Sequence, residues 1–288
     1  MFKQHWNPVF IRSKTIPYWA WISLIGNGLL LFIILGLMMH RQSVSDATSV
    51  PLTDGVQTHQ SPSVSESTLM GVPRHRWTYE QWVEQLRREA NAAAATPPER
   101  LTILAGDSLS LWFPTELLPQ DRTWLNQGIS GETSAGLLKR VKLFDITQPE
   151  TIFVMIGIND LIRGLDDSTL LNNYREIIRD LRWVHPDAQI VVQSILPHSD
   201  KHSNWEGREN LLKIPNQRIR HLNQELKFIA EEEGAYFLNL HSLFTDADGN
   251  LRPELSTDGL HLNQQGYLVW SSALKIYSQI ALETSSNP

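Results

Sequence analysis

The 288-residue chain has no cysteine, which excludes disulfides, thiolate zinc sites, iron–sulfur clusters and a thiol nucleophile, and leaves the redox compartment unread. It also lacks an excess of basic residues. Lys and Arg number 25 against 31 Asp and Glu, a formal charge of −6, and no basic stripe crosses the body of the chain. A nucleic-acid partner is therefore not expected, since such binding needs clustered cations that displace counterions. Several motifs are missing as well. There is no Gly-x-Ser-x-Gly elbow, no Gly-x-Gly-x-x-Gly after a strand, no phosphate loop and no His-Glu-x-x-His. There is no internal repeat, and no metal or cofactor is expected. What the chain does have is 41% apolar and 19% charged residues, a balance that suits a folded protein with a substantial core.

One hydrophobic run is long. Tyr18–Met39 is 22 residues without a formal charge, and as a helix it would span roughly 33 Å, about the hydrocarbon thickness of a bilayer. Tyr18, Trp19 and Trp21 gather at one end, where amphipathic rings favour the interface; Lys3, Arg12 and Lys14 precede the run. The expected arrangement is a cytoplasmic N-terminus (1–17), an uncleaved single-pass anchor in the cytoplasmic membrane (18–39) and an extracytoplasmic remainder. A cleaved signal peptide is the rival, but the run is long for one and no small-x-small site follows at once. A buried soluble helix is a third reading, disfavoured because the segment is apolar on all faces. Asn27 is polar within it and is given no functional weight. Residues 40–73, rich in Ser, Thr, Pro and Gln, cannot bury enough surface to offset their ordering entropy and are expected to form a flexible tether.

A folded domain is expected over 74–288, with its core at about 100–282. Thr78-Tyr79-Glu80-Gln81 fits a capping box, and Tyr79, Trp82, Val83, Leu86 and Ala90 share one helical face behind it. From Arg100 short apolar runs alternate with helical stretches. The runs are 101–105, a weaker one at 123–126, 151–156, 189–196 and 236–240; the helices are about 133–144, 168–184, 215–233 and 264–282. Pro215 suits a first-turn position and Gly234 a helix stop. Strands without in–out alternation, separated by helices, predict a parallel sheet covered on both faces, a three-layer α/β/α sandwich of about five strands.

Ligands of open parallel sheets bind beyond the carboxyl ends of the strands. Four short blocks sit there: "GDSLS" at 106–110, "NQGISGET" at 126–133, "GIND" at 157–160 and "DGLH" at 258–261. Each alone has an ordinary explanation, as a turn, a helix cap or a loop histidine. Together they hold the parts of an acyl hydrolase. Ser108 is a weak nucleophile that needs an adjacent base, His261 is the candidate base, and Asp258, three residues earlier, can hold its tautomer. The Gly131 N–H, the Asn159 side-chain amide and the Ser108 N–H can donate to a developing oxyanion.

These four blocks, in order and with matching spacing over roughly residues 100–280, resemble those of the SGNH (GDSL-type) hydrolase family, with no departure at the hallmark positions. The resemblance implies a flavodoxin-like sheet of strand order 2-1-3-4-5. It also implies a Ser108–His261–Asp258 triad, an oxyanion hole of Ser108, Gly131 and Asn159, and no metal. The expected activity is hydrolysis of a small-molecule, lipid or glycan ester through an acyl-enzyme. An acyltransferase acting on envelope glycan with the same site, or a non-catalytic binding protein on the same fold, stand as alternatives. Oligomeric state is not specified, as the apolar run lacks Gly-x-x-x-Gly.

Other residues carry weaker signals. His198, Asp200 and His202 could ligate a metal or border the cleft. "DADGN" at 246–250 resembles a calcium loop but lacks the later Gly and Glu, so a hairpin-like turn is expected. Trp112 and Phe113 read either as pocket walls or as core. Asp107 and Asp160 read as hydrogen-bonding scaffold, and Glu231–Glu233 as a solvated helix end.

Overall fold

The computed structural model describes residues 77–282. The expected cytoplasmic N-terminus, membrane anchor and tether lie outside the described residues, and among these no helix is long and apolar enough to cross a membrane.

The capping box forms as the sequence predicts. Thr78 Oγ1 accepts from the Gln81 N–H (3.3 Å) and Gln81 Oε1 accepts from the Thr78 N–H (2.8 Å), opening helix α1 (Tyr79–Ala95). Five parallel strands follow, β1 (Leu101–Gly106), β2 (Thr123–Gly128), β3 (Thr151–Met155), β4 (Gln189–Gln193) and β5 (Tyr236–Leu238). Their spatial order is β2-β1-β3-β4-β5. Between them lie α2 (Ser108–Leu111), α3 (Ser134–Arg140), α4 (Ile158–Ile162), α5 (Asp167–Val184), α6 (Arg208–Leu211) and α7 (Asn216–Glu232), and after β5 come α8 (His241–Phe244) and α9 (Gln264–Tyr277).

The strands read as unbroken apolar runs because both faces are covered. Ile103, Ala105, Ile152, Val154, Ile190 and Val192 pack with residues of α5 and α7. The alternate residues Leu104, Phe153, Met155 and Val191 pack with Tyr267, Trp270 and Leu274 of α9. Two expected strands prove shorter by two residues or more. The 189–196 run leaves the sheet after Gln193 and the 236–240 run after Leu238. Ser194–Leu196 nevertheless stay buried, so burial rather than pairing accounts for their apolar character. Pro215 stands one residue before α7 at an extended ψ of 133°, not in its first turn. The acidic triplet is more than a solvated end, since Glu233 pairs with Arg175 (2.7 Å) and Arg179 (2.9 Å) of α5.

Two devices fix the ends of β1 and β2, which carry the serine and glycine blocks. The first is close approach: a Cβ on Gly128 would lie 2.4 Å from the Leu111 nitrogen, so only glycine lets α2 fold back across the strand end. The second is a buried cation. Arg140 donates from Nη2 to the Gly106 carbonyl (3.0 Å), from Nη1 to the Gln127 carbonyl (2.8 Å) and from Nε to Glu132 (2.7 Å). Both partners of the Arg140–Glu132 pair are buried. Burial pushes the guanidinium below its ordinary value while Glu132 pushes it back up.

Asp107 caps α2, its carboxylate accepting from the Leu109 N–H (3.0 Å). Burial raises this carboxyl to about 7 against the pull of that hydrogen bond, and the Asp160 and Glu132 carboxylates add to the rise. The unfolded carboxyl ionises near pH ~3.9. The fold thus holds the proton more tightly, and the stability this contributes is full below about pH 4 and lost as pH rises through about 7. Asp107→Asn keeps an acceptor for Leu109 and cannot ionise. Its melting temperature relative to wild type is expected to climb between pH 4 and 8, by the equivalent of at most about 4 kcal/mol. A difference that stays flat across that range in thermal melts overturns the assignment.

Candidate active site

The register of three neighbouring strands brings the blocks to one edge. Gly106 pairs with Gly128 on one side and with Met155 on the other, so β2, β1 and β3 end level. Ser108 lies two residues beyond its strand, Gly131 three and Asn159 four. The fourth block arrives from the other end of the chain, ahead of α9. It closes on itself: Thr257 N–H and Ser256 Oγ donate to the His261 carbonyl (3.0 and 2.8 Å), and the Gly259 N–H donates to Ser256 Oγ (2.8 Å). The loop after β4 bolts this turn down. Asn204 and Trp205 N–H groups and Ser203 Oγ all converge on the Asp258 carbonyl, at 3.0, 3.0 and 2.9 Å.

Ser108 Oγ stands 3.2 Å from His261 Nε2, across 153 residues of sequence. On the far side of the ring, Nδ1 lies 2.7 Å from Asp258 Oδ2. The other oxygen, Oδ1, accepts from the His261 N–H (2.8 Å) and the Leu260 N–H (2.9 Å). Partial burial pushes Asp258 up, but the imidazole and the two N–H donors outweigh it and hold the carboxyl below its ordinary value. A carboxylate so held fixes the imidazole with Nδ1 protonated and the Nε2 lone pair turned to the hydroxyl. Ser108 and His261 are buried, at 6% and 8% exposure.

Three candidate donors lie just beyond the same strand ends. Ser108 opens α2, so its N–H is one of the unpaired amides of a helix start. Gly131 takes φ +74° in a turn closed by the Glu132 N–H on the Ile129 carbonyl (3.2 Å), a backbone that favours glycine. Arg163 Nη2 holds the same turn through the Gly131 carbonyl (2.6 Å). Asn159 Nδ2 is buried without a hydrogen-bond partner. A buried unpaired amide is costly, which is the state expected of a donor whose acceptor arrives with the substrate.

The remaining sequence signals sort differently. Asp160 accepts from the Ser134 N–H (2.9 Å) and hydroxyl (2.5 Å), tying α4 to α3 as scaffold. His198 has both ring nitrogens turned to carbonyls inside the fold, Ser199 at 2.6 Å and Ile214 at 2.7 Å, so neither faces an open ligand position. Among the described residues no cluster of three metal-ligating side chains forms. Asp200 and His202 instead line an open cavity of about 590 Å³ with Asp258 on its wall; neither Ser108 nor His261 lines it. "DADGN" is a turn pinned by Asp246 Oδ1, which accepts from the Asp248 and Asn250 N–H groups, and flanked by an antiparallel Thr245–Leu251 bridge. Trp112 and Phe113 part company. Phe113 is core against Tyr267 and Trp270, whereas Trp112 lies half exposed against the His261 ring. Sequence reasoning missed Arg140, Glu132, Ser134 and Arg163. Three of these four sit in or beside recognised blocks, but only long-range contacts reveal their partners.

Comparison with known proteins bears on the family and the fold. The chain is 34% identical over 102 residues to an arylesterase of Vibrio mimicus, covering 30% of this chain and 50% of that protein. It is 24% identical over 199 residues to the platelet-activating factor acetylhydrolase IB subunit alpha2 of Gallus gallus, covering 65% of this chain and 79% of that protein. The crystal structure of a GDSL-like lipase from Bacteroides thetaiotaomicron superposes with a TM-score of 0.58 at 19% identity, over 69% of this chain and 100% of that one, a likeness of fold. The model of the GDSL-like lipase/acylhydrolase family matches residues 105–269, more than half of the chain, and with its five parallel strands in the order 2-1-3-4-5 the protein belongs to that family of serine ester hydrolases.

Proposed function

We propose that Ser108 is the nucleophile of this esterase, His261 its general base and acid, and Asp258 the group that orients the imidazole. The observation that carries the reading is the continuous chain Ser108 Oγ–His261 Nε2 (3.2 Å) and His261 Nδ1–Asp258 Oδ2 (2.7 Å). Nε2 takes the hydroxyl proton as Oγ attacks the ester carbonyl. The carbonyl oxygen becomes an oxyanion, and the Ser108 and Gly131 N–H groups and Asn159 Nδ2 stabilise it. Collapse breaks the acyl–oxygen bond, and the departing alkoxide takes the proton from Nε2. Water, deprotonated by the same nitrogen, then attacks the acyl-serine, and a second collapse releases the acid and returns the proton to Oγ.

The chain's location belongs to the same proposal. The 22-residue uncharged run Tyr18–Met39 serves as an uncleaved anchor in the cytoplasmic membrane, and residues 40–73 serve as a tether that leaves the catalytic domain on the outer side. The substrates are carboxylic esters, with small-molecule, lipid and glycan esters all compatible with a tethered domain.

Ser108→Ala is expected to lower kcat/KM on an aryl acetate by at least about a thousandfold and to abolish labelling by a fluorophosphonate, with the fold intact by circular dichroism. Undiminished turnover overturns the assignment. Asn159→Ala removes one oxyanion donor, and its kcat should fall about 10²- to 10³-fold with KM little changed. An unaltered kcat rules Asn159 out of the oxyanion hole. For the anchor, the full chain should sediment with membranes after alkaline carbonate washing and be digested by protease added to cells whose outer barrier has been opened. Recovery in the soluble fraction, or protection until the cytoplasmic membrane is breached, defeats the proposed topology.

A further inference from the structure

We propose that Trp112 is the alcohol-side platform of this site, selecting esters whose alcohol carries a ring with a flat apolar face. The proposal rests on the reading of Ser108 and His261 given above. Trp112 lies one helical turn beyond Ser108 and donates its N–H to the Ser108 carbonyl (3.0 Å), so both side chains leave the same face of the backbone. Its indole lies against the His261 imidazole with ring centroids 4.4 Å apart at 45°. Its neighbour Phe113 is 3% exposed, yet Trp112 keeps 49% of its surface in water.

The chemistry assigns a direction to that exposed surface. When the acyl–oxygen bond breaks, the departing oxygen takes its proton from His261 Nε2 and must lie within hydrogen-bond reach of it. The alcohol is therefore on the imidazole side of the carbonyl, where the indole stands, while the oxyanion turns to the donors on Gly131 and Asn159. The floor beneath offers no alternative berth. Asp107, Ile158 and Leu260, the residues preceding three of the site residues, bound a recess with about 10 Å³ free, roughly the room of one water. An alcohol cannot sink there, and the indole is the exposed apolar surface that lies against the imidazole. A flat ring covers that surface with a stacked contact, which a short straight chain cannot match.

The test uses the full chain and three acetates that share an acyl group, those of phenol, cyclohexanol and ethanol. Comparing each variant with wild type on each ester cancels intrinsic reactivity. Trp112→Ala is expected to lose roughly tenfold more kcat/KM on the two ring esters than on ethyl acetate, chiefly through KM, and Trp112→Phe to restore most of that difference. A differential loss on phenyl acetate alone supports the platform and narrows its class to aryl alcohols. Equal losses on all three esters, or a Phe variant no better than Ala, overturn the platform and leave Trp112 as packing for His261. A wild-type chain that turns over none of the three and resists fluorophosphonate labelling instead overturns the site assignment beneath it.

Discussion

One buried guanidinium ties together the strand ends on which the site stands. Arg140 holds the last carbonyl of β1 and the penultimate carbonyl of β2, and its charge is answered by Glu132, the residue after Gly131. The Gly106 carbonyl also accepts from the Ile129 N–H (3.1 Å), so Arg140 supplies it with a second donor. A buried ion pair broken on one side typically costs about 3–5 kcal/mol. The same contacts set the distance between the serine turn and the glycine turn. A stability requirement and a geometric requirement of the site are thus met by one side chain.

The same economy recurs around the edge. Asp107 caps the helix that presents Ser108, and Asp160 anchors α3 to the helix that presents Asn159. The Asp258 carboxylate satisfies its own turn through Oδ1 and leaves Oδ2 for the imidazole. Other buried side-chain atoms at this edge also lack a partner, Ser110 Oγ, Gln127 Oε1 and Gln193 Nε2 among them. The unpaired Asn159 amide differs from these in standing in a block beyond the strand ends, beside the serine and glycine turns, and a buried donor without an acceptor persists only where something else compensates its cost.

Much of the architecture was legible in the residues. Unbroken apolar runs separated by amphipathic helices mean a parallel sheet covered on both faces, and the structure has five such strands. The capping box at Thr78 and the turn at Asp246 follow from local hydrogen-bond chemistry, which needs no distant partner. Errors fell where local pattern and pairing diverge. Ser194–Leu196 are as buried as strand residues but lie beyond the strand, and Pro215 stands just before its helix rather than in its first turn. The Glu231–Glu233 run looked like solvated charge until α5 supplied Arg175 and Arg179.

By itself the sequence determined the chemical inventory: a serine on a glycine turn, a glycine with its own turn, an asparagine after a strand, and an Asp-x-x-His near the far end. It also determined the alternation that makes the sheet. Such features are local, encoded in spacing and side-chain type within a few residues. Tertiary structure alone decided which of two adjacent aromatics would be core and which would lie against the imidazole. It alone gave Arg140 its three acceptors, and it turned both nitrogens of His198 toward carbonyls. Those outcomes depend on contacts outside any one element, 8 to 34 residues apart for Arg140 and its acceptors, 16 for His198 and Ile214, and more than a hundred for Trp112 and His261, and such contacts exist only once the chain has folded.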